Sequence, residues 1–107
     1  MKSHTDIEQS KKLAEILPIE SADMFYRDNG IDAKLMWEHN AHKVKYPCWS
    51  LTALLDVVQE PELIRNSEGT WLIRVWYNRY PFSRGGYNNP VDACYEMILK
   101  LHELKIL

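Results

Sequence analysis

Glycine and cysteine are both scarce in this chain, with four of one and two of the other among 107 residues. The single adjacent glycine pair, Gly85-Gly86, is not followed by a strand-to-helix pattern or by the Lys-Ser/Thr of a phosphate loop, so a nucleotide-binding fold is not supported. Cys48 and Cys94 fall in different expected elements and form no Cys-x-x-Cys pair, which argues against a disulfide framework and a zinc knuckle. Each reads as a buried small hydrophobe; a nucleophile would need a lowered pKa and a partnering base. No window approaches the ~18 apolar residues of a membrane span, so no membrane partner is expected. Met1 to Thr5 lead into a charged helix without the apolar run of a secretory signal, so the expected compartment is the cytoplasm. Asp23, Asp28 and Asp32 lack calcium-loop spacing, and no carboxylate pair is placed for acid–base work. No catalytic residue or cofactor is indicated, and a non-enzymatic protein is the expectation.

What is present belongs to a folded chain. The composition is 46% hydrophobic and 26% charged, which fits one globular domain over residues 1–107. A net charge of −2 argues against a wholly basic polyanion-binding surface. The charge is unevenly distributed: no acidic residue lies between Glu68 and Asp92, where Arg74, Arg79 and Arg84 all fall.

Hydrophobic periodicity and punctuation place the elements. Thr5 and Glu8 have the spacing of a capping box, predicting a first helix from about residue 6 to Pro18 with Ile7, Leu13, Ala14 and Leu17 as its apolar stripe. Two alternating runs flank Asn29-Gly30, the preferred two-residue hairpin turn. That turn would pair 28 with 31, 26 with 33 and 24 with 35, set Arg27 opposite Asp32, and give one face to Ala22, Met24, Tyr26, Ile31, Ala33, Leu35 and Trp37. Residues 39–45 read as a polar connection. Ser50 caps a second helix over about 51–59, apolar nearly all round, with Trp49 before it able to staple on Leu54. Residues 62–65 and 70–77 read as a second hairpin around Gly69, with Trp71, Ile73, Val75 and Tyr77 on one face and Leu72, Arg74 and Trp76 on the other. Asn89 caps a third helix over about 90–104, Pro90 takes its first position, and Ala93, Cys94, Met97, Ile98, Leu101 and Leu104 form its stripe. The order α-ββ-α-ββ-α implies an α+β fold, with an antiparallel sheet of three to five strands and helices on one face. Its two ββα units resemble a structural repeat.

Two segments carry chemistry. Arg74, Trp76, Arg79, Tyr80, Phe82, Arg84 and Tyr87 have the composition of a protein-binding hot spot, and equally of a surface that stacks bases and contacts phosphates. They also fit a plainer reading, in which the aromatics are core and residues 78–88 only connect. That connection exceeds the ~2–6 residues typical between a strand and a helix, so it is either a further edge strand or a binding loop. His39 and His42 with Cys48 offer three metal-ligand types, although the fourth ligand of a structural zinc site is missing.

Three patches, Ser21 to Met24, Pro47 to Leu51 and Asn89 to Cys94 with Lys100 to Leu104, together resemble small uncharacterised proteins carried by prophages and similar mobile elements of gut bacteria. The resemblance spans most of the chain and implies a setting in phage or mobile-element biology, with no catalytic residues attached. The strand Trp71 to Tyr77 and the helix start Asn89-Pro90 are also similar to antitoxins of the HicB type, whose DNA-binding appendage has no recognisable counterpart here. Together these readings imply a binding or adaptor module with a protein partner. The alternatives are a nucleic-acid-binding protein using residues 74–87, and an enzyme or metal site near His39, His42 and Cys48.

Overall fold

Asp6 begins the first helix. In the computed structural model, which describes residues 2–27, 30–33, 44–59 and 61–107, its carboxylate accepts the Gln9 backbone N–H at 2.8 Å, and the Gln9 side-chain oxygen accepts the Asp6 N–H at 3.1 Å. The sequence holds two overlapping capping boxes, Thr5 with Glu8 and Asp6 with Gln9. The expected one loses because Thr5 is consumed inside the protein. Its fully buried Oγ1 accepts the Trp49 N–H at 3.1 Å and lies 2.7 Å from the Ser10 hydroxyl, also fully buried. Helix α1 (Ile7–Ala14) therefore turns Ser10 and Leu13 inward, while Ile7 and Ala14 of the expected stripe are exposed. It ends well before Pro18, and a 3₁₀ turn over Ile19–Ser21 follows.

Strands β1 (Met24–Arg27), β2 (Gly30–Ala33) and β3 (Val44–Cys48) form an antiparallel sheet in the order β2-β1-β3. The first hairpin exists, but its register differs from the expected one. Tyr26 pairs with Ile31 and Met24 with Ala33, and Arg27 and Phe25 face Gly30 and Asp32. Asp28 and Asn29, like Lys34 to Trp37, lie outside the described residues. A slide of two residues keeps the alternation, so pattern alone does not separate the two registers. Both sides of β1 contribute to burial: Phe25 is fully buried, and Tyr26 on the other side donates its hydroxyl to the Thr5 carbonyl at 2.6 Å. Strand β3 was not expected. Pro47 obscures it, and the sheet tolerates Pro47 because β3 is an edge strand whose outer N–H positions need no partner.

The N-terminal segment runs beside the end of β3. The Thr5 N–H donates to the Trp49 carbonyl at 2.9 Å, the Leu51 N–H donates to the Ser3 carbonyl at 3.1 Å, and His4 bridges Ser50. Trp49 is fully buried and its indole N–H donates to Ser21 Oγ at 2.9 Å. Helix α2 (Leu51–Val58) starts as expected, with the Ser50 hydroxyl accepting the Ala53 N–H at 3.2 Å. Asp23 in turn holds Ser50, accepting both its backbone N–H and its hydroxyl.

The second sheet has the order β4-β5-β6, with β4 (Glu62–Arg65), β5 (Trp71–Tyr77) and β6 (Tyr80–Tyr87) all antiparallel. Asn66 organises the first loop, its side-chain oxygen accepting the Glu68 and Thr70 N–H groups, and Gly69 supplies the positive φ of 84°. Residues 80–87, open in the sequence between loop and strand, are an edge strand. The loop between β5 and β6 is only Asn78-Arg79, with φ of 50° and 71°, the signature of a type I′ turn. Asn78 adopts that conformation readily and Arg79 does not. Replacing Arg79 with glycine is expected to stabilise the protein by about 1 kcal/mol, read as a higher urea midpoint at unchanged slope. The register slips near Gly85-Gly86, where Gly86 takes a φ of 87°.

Helix α3 (Pro90–Glu103) packs on one face of this sheet and against α2. Ala93, Cys94, Met97, Ile98 and Leu101 are buried as the stripe predicts. Leu104 is 42% exposed because the helix stops at Glu103. The main core joins α3, α2, Trp49 and Leu13 to Ile73 and Val75 of β5. The fold is α+β and antiparallel, but two three-stranded sheets replace the single sheet expected. Each hairpin is completed by its own third strand, which occupies the free edge of β1 in one case and of β5 in the other. The strand orders differ, so the two halves do not superimpose as a repeat.

A polar clasp ties the N-terminal region to α3. Asp92 accepts from Lys2 Nζ at 2.9 Å, Gln9 Nε2 at 2.8 Å and Asn89 Nδ2 at 2.9 Å, and Lys2 also reaches Asp6 at 3.0 Å. Burial works to raise the Asp92 carboxyl, but the bonds from Lys2, Gln9 and Asn89 outweigh it and hold it below the usual range. Asp6 is lowered as well, the Gln9 N–H and Lys2 overcoming desolvation. A depressed carboxyl stabilises the fold above its unfolded-state pKa and loses that contribution as pH falls through the folded value. Stability should therefore decline from about pH 5 downward, and Asp92→Asn should flatten that slope in urea unfolding measured across pH 3–6.

Candidate functional site

The face of the second sheet opposite α3 is the most unusual surface among the described residues. Alternation along β5 sends Ile73 and Val75 into the core and sends Leu72, Arg74 and Trp76 outward. The register places Ile64 opposite Leu72, Glu62 opposite Arg74, and Pro81 opposite Trp76. Trp76 is 55% exposed and Ile64 41% exposed, so two large apolar side chains stand in water on one face. Glu62 fixes the arrangement. One carboxylate oxygen accepts the Trp76 indole N–H at 3.2 Å, and the other lies 3.5 Å from the Arg74 guanidinium. This diagonal cross-strand contact holds the indole in one pose instead of leaving it to rotate.

Beside Trp76, at the C-terminal turn of α2, lies a cleft of about 550 Å³ lined by Leu55, Asp56, Gln59 and Trp76. Gln59 closes the helix with a φ of 54°, a conformation where glycine or asparagine is the usual choice.

The structure divides the seven candidate surface residues. Arg74 and Trp76 share the outer face, while Arg79 sits in the hairpin turn. Tyr80, Phe82, Arg84 and Tyr87 lie opposite Tyr77, Val75, Ile73 and Trp71 and so belong to the other face, along the sheet edge. Phe82 and Tyr87 are half-buried against the core, and Phe82 meets Tyr77 edge-on at 6.5 Å between ring centres. Arg84 donates to the Tyr87 hydroxyl at 3.1 Å. The aromatic and arginine segment is thus a strand with two sides and not one continuous surface. Alternation already sets Leu72 on the outer face beside Arg74 and Trp76, whereas Glu62 and Ile64 were missed. Their signal is the pairing of Glu62 with Arg74, which the register of the second hairpin makes visible.

Strand β6 also leaves one backbone edge unpaired. The residues flanking a two-residue hairpin loop form a hydrogen-bonded pair, so Tyr80 and Phe82 direct their backbone groups toward β5, and Pro81 and Ser83 direct theirs outward. Pro81 has no N–H to offer there, which blunts the edge against strand addition.

Cys48 sits in a cage of hydroxyls. Its thiol donates to the Thr5 carbonyl at 3.5 Å and accepts from Thr5 Oγ1 at 3.7 Å, and it is fully buried. Burial pushes it up, against the bonds of Thr5, Ser10 and Tyr26. Burial, with the neighbouring Cys48, pushes the Tyr26 hydroxyl up to about 12, and burial alone pushes the Cys94 thiol to about 12. A nucleophilic cysteine needs the opposite shift. His39 and His42 lie outside the described residues. Among the described residues no three His, Cys, Asp or Glu side chains gather as a metal site, and no helix is long and apolar enough to cross a membrane.

Comparison with protein-family models, with curated proteins and with solved structures returns no match.

Proposed function

We propose that the protein is a non-enzymatic docking module that binds a protein partner through the outer face of the second sheet, in phage or mobile-element biology. The observation that carries this reading is Trp76: a half-exposed indole, locked by Glu62 and opposite Pro81, on the face that also exposes Ile64. A rigid aromatic anchor loses little side-chain entropy on binding, which is why such residues dominate interface energetics. The dispersal of the three arginines favours a protein over a nucleic acid. Arg74 is engaged by Glu62, Arg84 by Tyr87, and Arg79 is set apart in a turn.

The setting rests on the three resembling patches, and their placement gives them a structural meaning. Ser21 bonds Trp49 and Asp23 bonds Ser50, joining two of the patches, and Ala22, Trp49, Val91 and Cys94 from all three share the main core, so the patches serve as scaffold. They carry the architecture, and Trp76 lies outside them.

The test is a pull-down with cross-linking from a lysate of the source cells, comparing the natural chain with Trp76→Ala. A partner held by the natural chain is expected to be lost from the variant, with a cost of about 2 kcal/mol or more in its affinity. The thermal midpoint should barely change, because an exposed side chain supports little of the core. Retention of every partner by Trp76→Ala would rule this face out.

A further inference from the structure

Three unfavourable choices meet at the cleft beside Trp76. First, Asp56 lies in the last turns of α2, where the helix presents its negative end and where no basic residue is provided in the last turn. A carboxylate there is disfavoured by the helix dipole, and Asp56 has no ion pair or hydrogen bond among the described residues. Second, Gln59 accepts a left-handed φ of 54° that glycine would adopt without cost. Third, Trp76 leaves its indole 55% exposed. The three described helices have well-formed N-caps, and the left-handed residues Arg79 and Lys105 stand elsewhere, whereas at this one place three unfavourable choices fall together. Such local violations concentrate where a ligand is accommodated.

A single kind of ligand relieves the electrostatic part of this. A cation seated in the cleft would face the Asp56 carboxylate, the negative end of α2, and the indole of Trp76, whose N–H is already polarised by Glu62. The cleft is lined by Leu55 as well as by Asp56, which suits a cation carried on an aliphatic stem better than a free ion.

We infer that this cleft receives a lysine or arginine side chain projecting from the protein partner. The inference rests on the docking reading above and adds the chemistry of what docks. Asp56 and the helix end select the charge, Trp76 stacks on the ammonium or guanidinium group, and Leu55 contacts the aliphatic stem. Glu62 stays with Trp76 and Arg74, leaving Asp56 as the carboxylate available to the ligand.

The test uses three N-acetylated, C-amidated pentapeptides that differ only in a central lysine, arginine or glutamine. They are titrated to millimolar concentration into the labelled protein, with NMR observation of the Trp76 indole N–H and the Asp56 and Gln59 amides. The lysine and arginine peptides should give saturable shifts at these three residues and bind about fivefold or more tightly than the glutamine peptide. Added salt should weaken them selectively. Asp56→Asn should abolish that charge preference while raising the thermal midpoint by about 1–4 °C, since the carboxylate opposes the helix dipole. A rise in stability together with a loss of selectivity shows that the variant folds. Equal binding of the glutamine peptide at the same indole would overturn the charge selection and leave the docking face intact. An absence of shifts at Trp76 with all three peptides would overturn the cleft as a receptor, whereas the docking face itself stands or falls with the Trp76→Ala pull-down.

Discussion

Replacing Trp49 with alanine is expected to cost about 3–5 kcal/mol of stability, the range for removing a fully buried large aromatic. Trp49 is 0% exposed and lies in one core with Leu54, Val58 and α3. It also ties the N-terminal segment to the turn that follows α1, because its backbone bonds Thr5 while its indole bonds Ser21. A domain of this size has roughly 5–15 kcal/mol in total, so the variant should be largely unfolded well below the midpoint of the natural chain. Trp49→Phe keeps most of the volume and forfeits only the bond to Ser21, so it should lose much less. Urea unfolding of both variants makes the comparison. If the alanine variant lost under about 1 kcal/mol, the core around α2 would have to collapse into the space far better than cores generally do.

Thr5→Val is expected to cost about 2–4 kcal/mol, although the two side chains have nearly the same shape. The hydroxyl serves two buried groups at once, accepting the Trp49 N–H and pairing with Ser10. A methyl group in its place leaves the buried Trp49 N–H without a partner and leaves the Ser10 hydroxyl only the Cys48 thiol. Thr5→Ser retains the oxygen and removes one methyl, a loss of about 1 kcal/mol. The contrast is measured by urea unfolding of the two variants. A valine variant as stable as the serine variant would show that water enters and replaces the missing oxygen.

The same residue explains part of what the sequence conceals. Thr5 and Asp6 both begin a capping box, and only the tertiary demand of Trp49 and Ser10 on the Thr5 oxygen decides between them. The signals that were legible are local and self-sufficient. Asn89 with Pro90 and Asp92 places the start of α3, Ser50 starts α2, and the alternation from Trp71 to Tyr77 sorts the core side of β5 from its outer side. The missed strand β3 contains Pro47, and β6, left open between an edge strand and a loop, contains Pro81, Gly85 and Gly86. Those residues read as loop because sequence rules describe central strands, whereas both strands are edges. Arg79 hides the β5–β6 turn for a related reason, since its left-handed φ is imposed by the strands on either side. The candidate surface was legible in composition but not in sidedness, because Trp76 and Tyr80 come to lie on opposite faces once a two-residue turn separates their strands.

The bonds between Ser3 to Thr5 and Trp49 to Leu51 also bear on the order in which the protein assembles during synthesis. Thr5 and Trp49 are 44 residues apart. At roughly 5–20 residues per second, translation separates them by about 2–9 s. Until Trp49 is made, the Thr5 oxygen lacks the N–H it accepts and α1 lacks most of the strand β3 that it packs against. The segment around Thr5 therefore cannot dock until the chain as far as Trp49 has followed it, which makes its docking a non-local and comparatively slow event.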